Sequence, residues 1–369
     1  MSFETTHPKE EKMKKIFVAM LVVLLVASTG LFAAGSQESK GSGDITVVFV
    51  PKLTGNAFFE AANDGAQEYA AKQGFTVKYD GSPEASVANQ VNVINNAINT
   101  GADAVVVSSV DATGLDDIMK EAMAAGVKAV TWDSDVSGDA RTVMVSQGTP
   151  DILGEMLVDM LADSVRERGK NPDTDNIKYV WHYSQATVAD QNSWRVAGEA
   201  YIKEKYPNWT NVNPSNYYSE QDAEKAITIG EAILTANPDI DGIICNDSTA
   251  LPGQAQAAQN LGMDENDVSI TGFAPPNSMK GFARADVLAR WGLWDCQIQG
   301  ALGCYLGFYL ASGNTIEVGD IIDVPDIGKV EVLPNTVLDA NAYTAKDSGV
   351  VLLPERVVFT TENMDNYDF

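Results

Sequence analysis

Between Ile45 and Leu310 the chain alternates short β-branched or apolar runs with segments of helical spacing. Ile45–Val50 reads as a strand, Asn56–Gly74 as a helix closed by glycine, and Phe75–Tyr79 as the next strand. In the helix expected over Ser86–Gly101, Val87, Val91, Ile94 and Ile98 fall on one face. Strand Asp103–Val107, helix Gly114–Gly126 and strand Val127–Val130 follow, then a strand at Arg141–Ser146 and a helix over Asp151–Arg168. After the turn-rich Gly169–Asn176 the alternation restarts. Strands are expected at Ile177–Tyr183, Asn216–Tyr218, Asp241–Cys245, Val268–Thr271 and Val287–Trp294, with helices at Val188–Lys205, Ala223–Ala236, Thr249–Leu261 and Cys296–Leu310. Parallel strands need long crossovers, and helices supply them, so this order predicts two successive doubly wound α/β units with parallel sheets. Strand-like runs continue to the C-terminus, including Val350–Leu353, and are expected to cross between the units.

In wound sheets, side chains leaving the carboxyl ends of strands point into the crevice where ligands bind. Thr131-Trp132-Asp133-Ser134-Asp135 stands at such an end. Lys52 follows the first strand, with Phe58 and Phe59 nearby; Asp190, Gln191 and Trp194 come shortly after Ile177–Tyr183. Asn246-Asp247-Ser248 follows Asp241–Cys245, and Trp294-Asp295 ends its strand. Fixed carboxylates beside aromatic rings suit a small polyhydroxylated molecule, whose hydroxyls donate to oxygen while its C–H faces lie on the rings. Taken singly, each residue has a plainer alternative: Lys52 a solvated lysine, Trp194 a core residue, Asp247 a helix N-cap. Their shared placement on one class of edge favours a cleft that closes on a small ligand.

The known catalytic signatures of wound folds are missing. No G-x-x-x-x-G-K-[ST] loop, G-x-G-x-x-G turn, G-x-S-x-G elbow or H-E-x-x-H helix occurs. Only His7 and His182 are present, which disfavours a zinc site or a histidine-dependent triad. Asp173 and Asp175 lack the other ligands of an EF-hand loop. The expectation is therefore no enzyme activity, no cofactor and no metal. A net charge of −26 repels phosphate backbones and anionic membranes, which argues against nucleic acid as a partner. Cys245, Cys296 and Cys304 are an odd set in apolar surroundings and read as free buried thiols.

At the N-terminus, Met13-Lys14-Lys15 leads into the uncharged run Ile16–Ala27 and a small-residue stretch ending at Ala33-Ala34. This pattern predicts a signal peptide over residues 1–34, with Met13 as an alternative start, then a flexible leader over 35–43. No cysteine stands near the cleavage site, so the expectation is a periplasmic protein without a lipid anchor.

The chain also resembles a family. VPKLTGNAFF (50–59), YDGSPEASVANQV (79–91), TWDSD (131–135) and QGTPDILGEMLVDM (147–160) match periplasmic solute-binding proteins of the ribose-binding type. So do ATVADQNSW (186–194), ALPGQAQAAQNL (250–261), GLWD (292–295) and the C-terminal GVVLLPERVVFTTENMDNYDF (349–369). Within that group the chain is similar to the autoinducer-2-binding proteins of bacterial ABC importers. The resemblance implies two similar α/β domains joined by a three-segment hinge, the type I architecture. Domain one is expected over 44–147 plus about 296–320, and domain two over 148–295 plus about 321–369. It further implies that Lys52, Asp133, Asp190 and Gln191 make polar ligand contacts, and that Phe58, Trp194 and Trp294 form an aromatic wall. Trp132 and Asp135 match no family contact and are expected to be structural.

One departure stands out. Where the family usually reads Pro-Asp-Ala, this chain has Asn246-Asp247-Ser248. Asn246 and Ser248 are expected to add side-chain donors and acceptors, so a ligand with an extra hydroxyl, such as rhamnose or another monosaccharide, is an alternative to autoinducer-2. The implied partner is an ABC permease, the implied state a monomer, and a second possible role is that of a ligand-loaded sensor subunit for a membrane receptor. A DNA-binding repressor of the same fold would need a basic helix pair where the export signal stands.

Overall fold

The computed structural model describes residues 45–339 and 348–369. The expected signal segment and leader, residues 1–43, lie outside the described residues.

Two sheets organise the chain. In the first lobe β1 (Thr46–Val50), α1 (Ala57–Gln73), β2 (Thr76–Tyr79), α2 (Val87–Asn99), β3 (Ala104–Val107), α3 (Asp116–Ala124), β4 (Lys128–Trp132) and β5 (Val143–Ser146) follow in order. The second lobe holds α4 (Pro150–Glu167), β6 (Lys178–Tyr183), α5 (Ala189–Lys205), β7 (Thr210–Asn211), β8 (Tyr217–Tyr218), α6 (Ala223–Ala236) and β9 (Gly242–Cys245). It continues through α7 (Ala250–Asn260), β10 (Ser269–Gly272), α8 (Pro276–Arg284) and β11 (Trp291–Leu293). Then come α9 (Cys296–Ala311), β12 (Ile321–Val324), β13 (Gly328–Glu331), β14 (Leu333–Pro334), β15 (Gly349–Leu352) and β16 (Val357–Phe359).

The first sheet runs β14-β15-β5-β4-β3-β1-β2, parallel except for β14, and the second runs β10-β9-β6-β7 with β8 beside the carboxyl end of β6. In both, the strand order reverses beside the first strand of the lobe, between β1 and β3 and between β6 and β9, which is the topological switch point where wound sheets bind ligands. β3, β5, β9 and β10 are buried along their whole length, as sheets covered on both faces require.

Local sequence sets the elements. Asn56, Ser86, Thr149, Asp222 and Asp295 each cap a helix by accepting from a backbone N–H in its first turn. Helix α9 is buried along most of its length and crosses α1 closely: a Cβ on Gly300 would lie 2.1 Å from the Ala62 carbonyl, so only glycine fits there. Trp132 is fully buried and stacks on Phe49 at 4.5 Å, while Asp135 pairs with Arg141 at 2.6 Å; both are structural, as expected.

Three segments pass between the lobes: β5 to α4, β11 to α9, and β15 to β16, the last pairing antiparallel with β11. This corrects the expected boundary, which gave 321–369 to the second domain. β15 lies in the first sheet, parallel to β5, because GVVL is apolar enough for a strand covered on both faces. Gly349 is required at its start, since a Cβ would meet Val332 at 2.3 Å. The last crossing therefore falls after Leu352. Two smaller corrections follow. Helix α8, opened by Pro275-Pro276, was not expected, and the strand expected over 287–294 shrinks to Trp291–Leu293. The three cysteines are free and buried.

Candidate ligand-binding site

The strand ends of the two lobes face each other across a cleft that holds about 370 Å³ of space free of protein atoms, part of it open to solvent. Lys52, Phe58, Asp133, Asp190, Gln191, Trp194, Asn246, Ser248 and Trp294 all line it. The nine residues singled out from the sequence are thus brought together, three from the first lobe, five from the second, and Trp294 from the crossing after β11.

Lys52 sits at the centre, two residues beyond β1 and only 3 % exposed. Its Nζ donates to Asp133 Oδ2 at 2.8 Å and lies 3.9 Å from Asp190 Oδ2. Ser108, just past β3, donates to the same Asp133 oxygen at 2.6 Å. Asp133 adopts the left-handed region at φ 59°, tolerable for aspartate, and this turns its carboxylate off the end of β4 into the cleft. Asp190 stands in the first turn of α5, where a helix N-terminus favours negative charge, and Ser134 of the other lobe donates to its Oδ1. Ser184 donates to Gln191 Oε1.

Burial opposes charge on Lys52, but Asp133 and Asp190 outweigh it and hold the ammonium above its ordinary range. Asp190 is pushed up to about 6, first by burial and further by Asp133, against the pull of Lys52. Burial also raises Asp247, against the backbone N–H groups of Ala250 and Thr249.

The apolar wall is a cluster of edge-to-face rings around Trp294. Phe58 lies at 5.8 Å, Trp194 at 5.9 Å and Phe273 at 5.5 Å from it, centroid to centroid.

Buried polar atoms are normally paired, and exceptions call for an explanation. Asp190 Oδ2, Asn246 Oδ1, Asp247 Oδ2 and Gln221 Nε2 are all buried without a hydrogen-bond partner among the described residues, and all four residues line this cavity. Three acceptors and one donor match a neutral molecule with several hydroxyls, each of which donates and accepts.

Asn246 and Ser248 each use part of their hydrogen-bonding capacity within the protein. The Asn246 amide donates to the Gln191 carbonyl at 2.7 Å, leaving only Oδ1 for the cavity. Ser248 Oγ donates across the cleft to Asn56 Oδ1 at 3.1 Å, and Asn56 Nδ2 donates to Thr249 Oγ1 at 3.2 Å. The Ser248 proton is therefore used between the lobes, while its oxygen keeps its acceptor capacity beside the cavity. Asp247 does cap α7, through Oδ1 to the N–H groups of Thr249 and Ala250, while its other oxygen has no hydrogen-bond partner among the described residues and the residue lines the cavity.

Sequence reasoning missed Gln221, Phe273 and Ser108. Ser108 and Phe273 follow β3 and β10 and were findable by the strand-end rule. Gln221 sits in a left-handed turn at φ 59° after β8, where no periodic signal exists.

Residues 47–315 match the family model described as "Periplasmic binding protein domain". The chain belongs to the periplasmic binding proteins. Its type I wound architecture is that of the solved members of the family. The structure of LsrB from Clostridium saccharobutylicum in complex with AI-2 is 63 % identical to this binding protein, covers 88 % of it and 100 % of the LsrB chain, and superposes with a TM-score of 0.87. A solute-binding protein from Clostridium phytofermentas with bound L-rhamnose is 21 % identical over 88 % of this chain and 98 % of its own, with a TM-score of 0.78, and shares the fold. Among curated proteins, the D-ribose/D-allose-binding protein of Pseudomonas aeruginosa is 23 % identical over 81 % of this chain and 92 % of its own length.

No helix among the described residues is long and apolar enough to cross a membrane. No group of His, Cys, Asp and Glu among them is arranged to hold a metal ion.

Proposed function

We propose that this protein is the exported solute-binding component of an ABC importer and carries autoinducer-2, or a closely related small furanose, in the cleft between its lobes. It binds and delivers its ligand and carries out no reaction on it. The observation that carries the reading is the set of four buried polar atoms without a hydrogen-bond partner among the described residues, all on residues that line one cavity with the Lys52–Asp133–Asp190 cluster. Asp133 and Asp190 accept from ligand hydroxyls, Lys52 and Gln191 hold ligand oxygens, and the Phe58–Trp194–Trp294 wall excludes water. The 63 % identity to a protein solved with AI-2 supports the choice of ligand. Closure places surfaces from both lobes side by side for a permease, and the N-terminal signal pattern supports export to the periplasm.

Thermal-shift measurements with autoinducer-2, L-rhamnose and D-ribose test this proposal, because a ligand that binds only the folded state raises the melting temperature. Autoinducer-2 is expected to give the largest shift. A larger shift with L-rhamnose would redirect the reading to a monosaccharide, and no shift with any of the three would reject it.

A further inference from the structure

The three crossing segments are tied together by side-chain hydrogen bonds that end on two residues of the cavity wall, Trp294 and Asp133. Trp294 Nε1 donates to Gln299 Oε1 at 2.6 Å. Gln299 Nε2 donates to Gln147 Oε1 at 3.0 Å and to the Val145 carbonyl at 3.1 Å. Gln147 Nε2 then donates to the Asp133 carbonyl at 3.1 Å. From the third crossing, Arg356 Nη1 donates to the Gln147 carbonyl at 2.7 Å and to that of Leu353 at 2.9 Å. Gln147 and Gln299 are 1 % and 0 % exposed, so no water substitutes for these bonds.

The relay has a fixed direction. An indole N–H only donates and a backbone carbonyl only accepts, so each of the two amides has a single orientation that satisfies both neighbours. One end holds the peptide of Asp133 in its left-handed conformation, which aims the carboxylate. The other end fixes the ring plane of Trp294, the hub of the aromatic wall.

We propose that Gln147 and Gln299 are positioning residues that lock Asp133 and Trp294 into one register with the hinge, so that pocket geometry and lobe angle change together. The inference rests on the solute-binding function proposed above and assigns to two residues outside the cavity the job of setting its two key contacts. A carboxylate at position 299 would still accept from Trp294 but would face two acceptors, the Gln147 amide oxygen and the Val145 carbonyl. Protonated, it would carry a single O–H donor and restore one of those two bonds.

The test compares Gln299→Met with Gln254→Met. Gln254 is equally buried, bonds His182 at 3.0 Å and the Gly230 carbonyl at 3.4 Å, and lies away from the hinge. Both changes delete a buried amide and lower stability. Gln299→Met is expected to raise the Kd for autoinducer-2 at least tenfold, and Gln254→Met to leave it within twofold. Gln299→Glu is expected to recover towards wild type as pH falls, judged as a ratio to wild type at each pH. A second readout needs no ligand: spin labels on Glu121→Cys and Glu224→Cys, exposed positions on α3 and α6, report the distance between lobes. Gln299→Met is expected to broaden that distribution, with Gln147→Met as the substitute should Gln299→Met not fold. An unchanged distribution overturns the proposal, as does a Kd within twofold of wild type or an equal loss in Gln254→Met. If the wild type binds no autoinducer-2, the solute reading fails by itself and the distance distribution alone decides the relay.

Discussion

Lys52 and Asp190 belong to opposite lobes, and the ammonium of one lies 3.9 Å from the carboxylate of the other. The same ammonium is bonded to Asp133 of its own lobe at 2.8 Å, so a single buried cation joins two carboxylates across the cleft. Three charges held this close out of water make the site sensitive to any change in their number.

Asp133→Ala is expected to weaken ligand binding by about 1.5–3 kcal/mol, the scale for hydrogen bonds to charged groups, or roughly ten- to hundredfold in Kd. The same change strands Lys52 in the interior, and removing one partner of a buried pair costs about 3–5 kcal/mol of stability. Asp190 remains nearby, so the loss should fall at the lower end. Calorimetric binding together with thermal melting separates the two effects. A variant that melts like wild type would mean that Lys52 does not depend on Asp133.

Asp190 makes binding pH-dependent. Its carboxyl titrates at about 6 in the fold against an ordinary 3.8, so the folded chain holds this proton more tightly than the unfolded one. The stability this group contributes is therefore full below pH 3.8 and lost as pH rises through about 6. Ligand hydroxyls bond best to the ionised form, so affinity should run the other way and fall on the order of tenfold from pH 7 to pH 5. Titrations across that range, repeated with Asp190→Asn, check both signs. An equally steep pH dependence in Asp190→Asn would assign it to another group.

His182 acts on stability with the opposite sign. Burial depresses its imidazole to about 4 from an ordinary 6.5, against the hydrogen bond that its Nδ1 donates to Gln254 Oε1. The unfolded chain takes up the proton first, so this contribution is full above pH 6.5 and lost as pH falls through about 4. Urea unfolding at pH 5 and pH 7.5 should show His182 contributing on the order of 2 kcal/mol of acid destabilisation, which His182→Gln removes. Ligand affinity should not move, because His182 lies outside the cavity.

The bonds from Asn56 to Ser248 and Thr249 form a latch across the cleft. Ser248→Ala combined with Thr249→Val removes both partners while leaving Asn56 free to cap α1 through the Phe58 N–H. Two partly exposed hydrogen bonds contribute about 1–2 kcal/mol to the closed state, so ligand release should quicken about five- to thirtyfold with association unchanged. Stopped-flow tryptophan fluorescence reads both rates. Slower association at unchanged release would show that the two hydroxyls act on entry instead.

Much of the site was legible because wound sheets convert sequence order into geometry. A strand run followed by a polar residue places that residue in the crevice, and Lys52, Asp133 and Asn246 were found on that ground. Roles were less legible than places. Nothing in Asn246-Asp247-Ser248 tells that Ser248 spends its proton on Asn56, since that partner lies nearly 200 residues away in sequence. Gln147 and Gln299 were unremarked for the same reason: a buried amide in a helix or turn carries no periodic signature, and its meaning comes from what it touches. The place of β15 was not legible because order along the chain does not give position in space: its residues, three of the four buried, find their parallel partner in β5.

The central claim is that the Lys52–Asp133–Asp190 cluster holds a small polyhydroxylated ligand between the lobes, and calorimetric titration of autoinducer-2 into wild type, Asp133→Ala and Asp190→Ala tests it most directly. Saturable one-to-one binding by wild type, weakened at least tenfold in each variant, is the predicted result. Binding of equal strength in all three would contradict it.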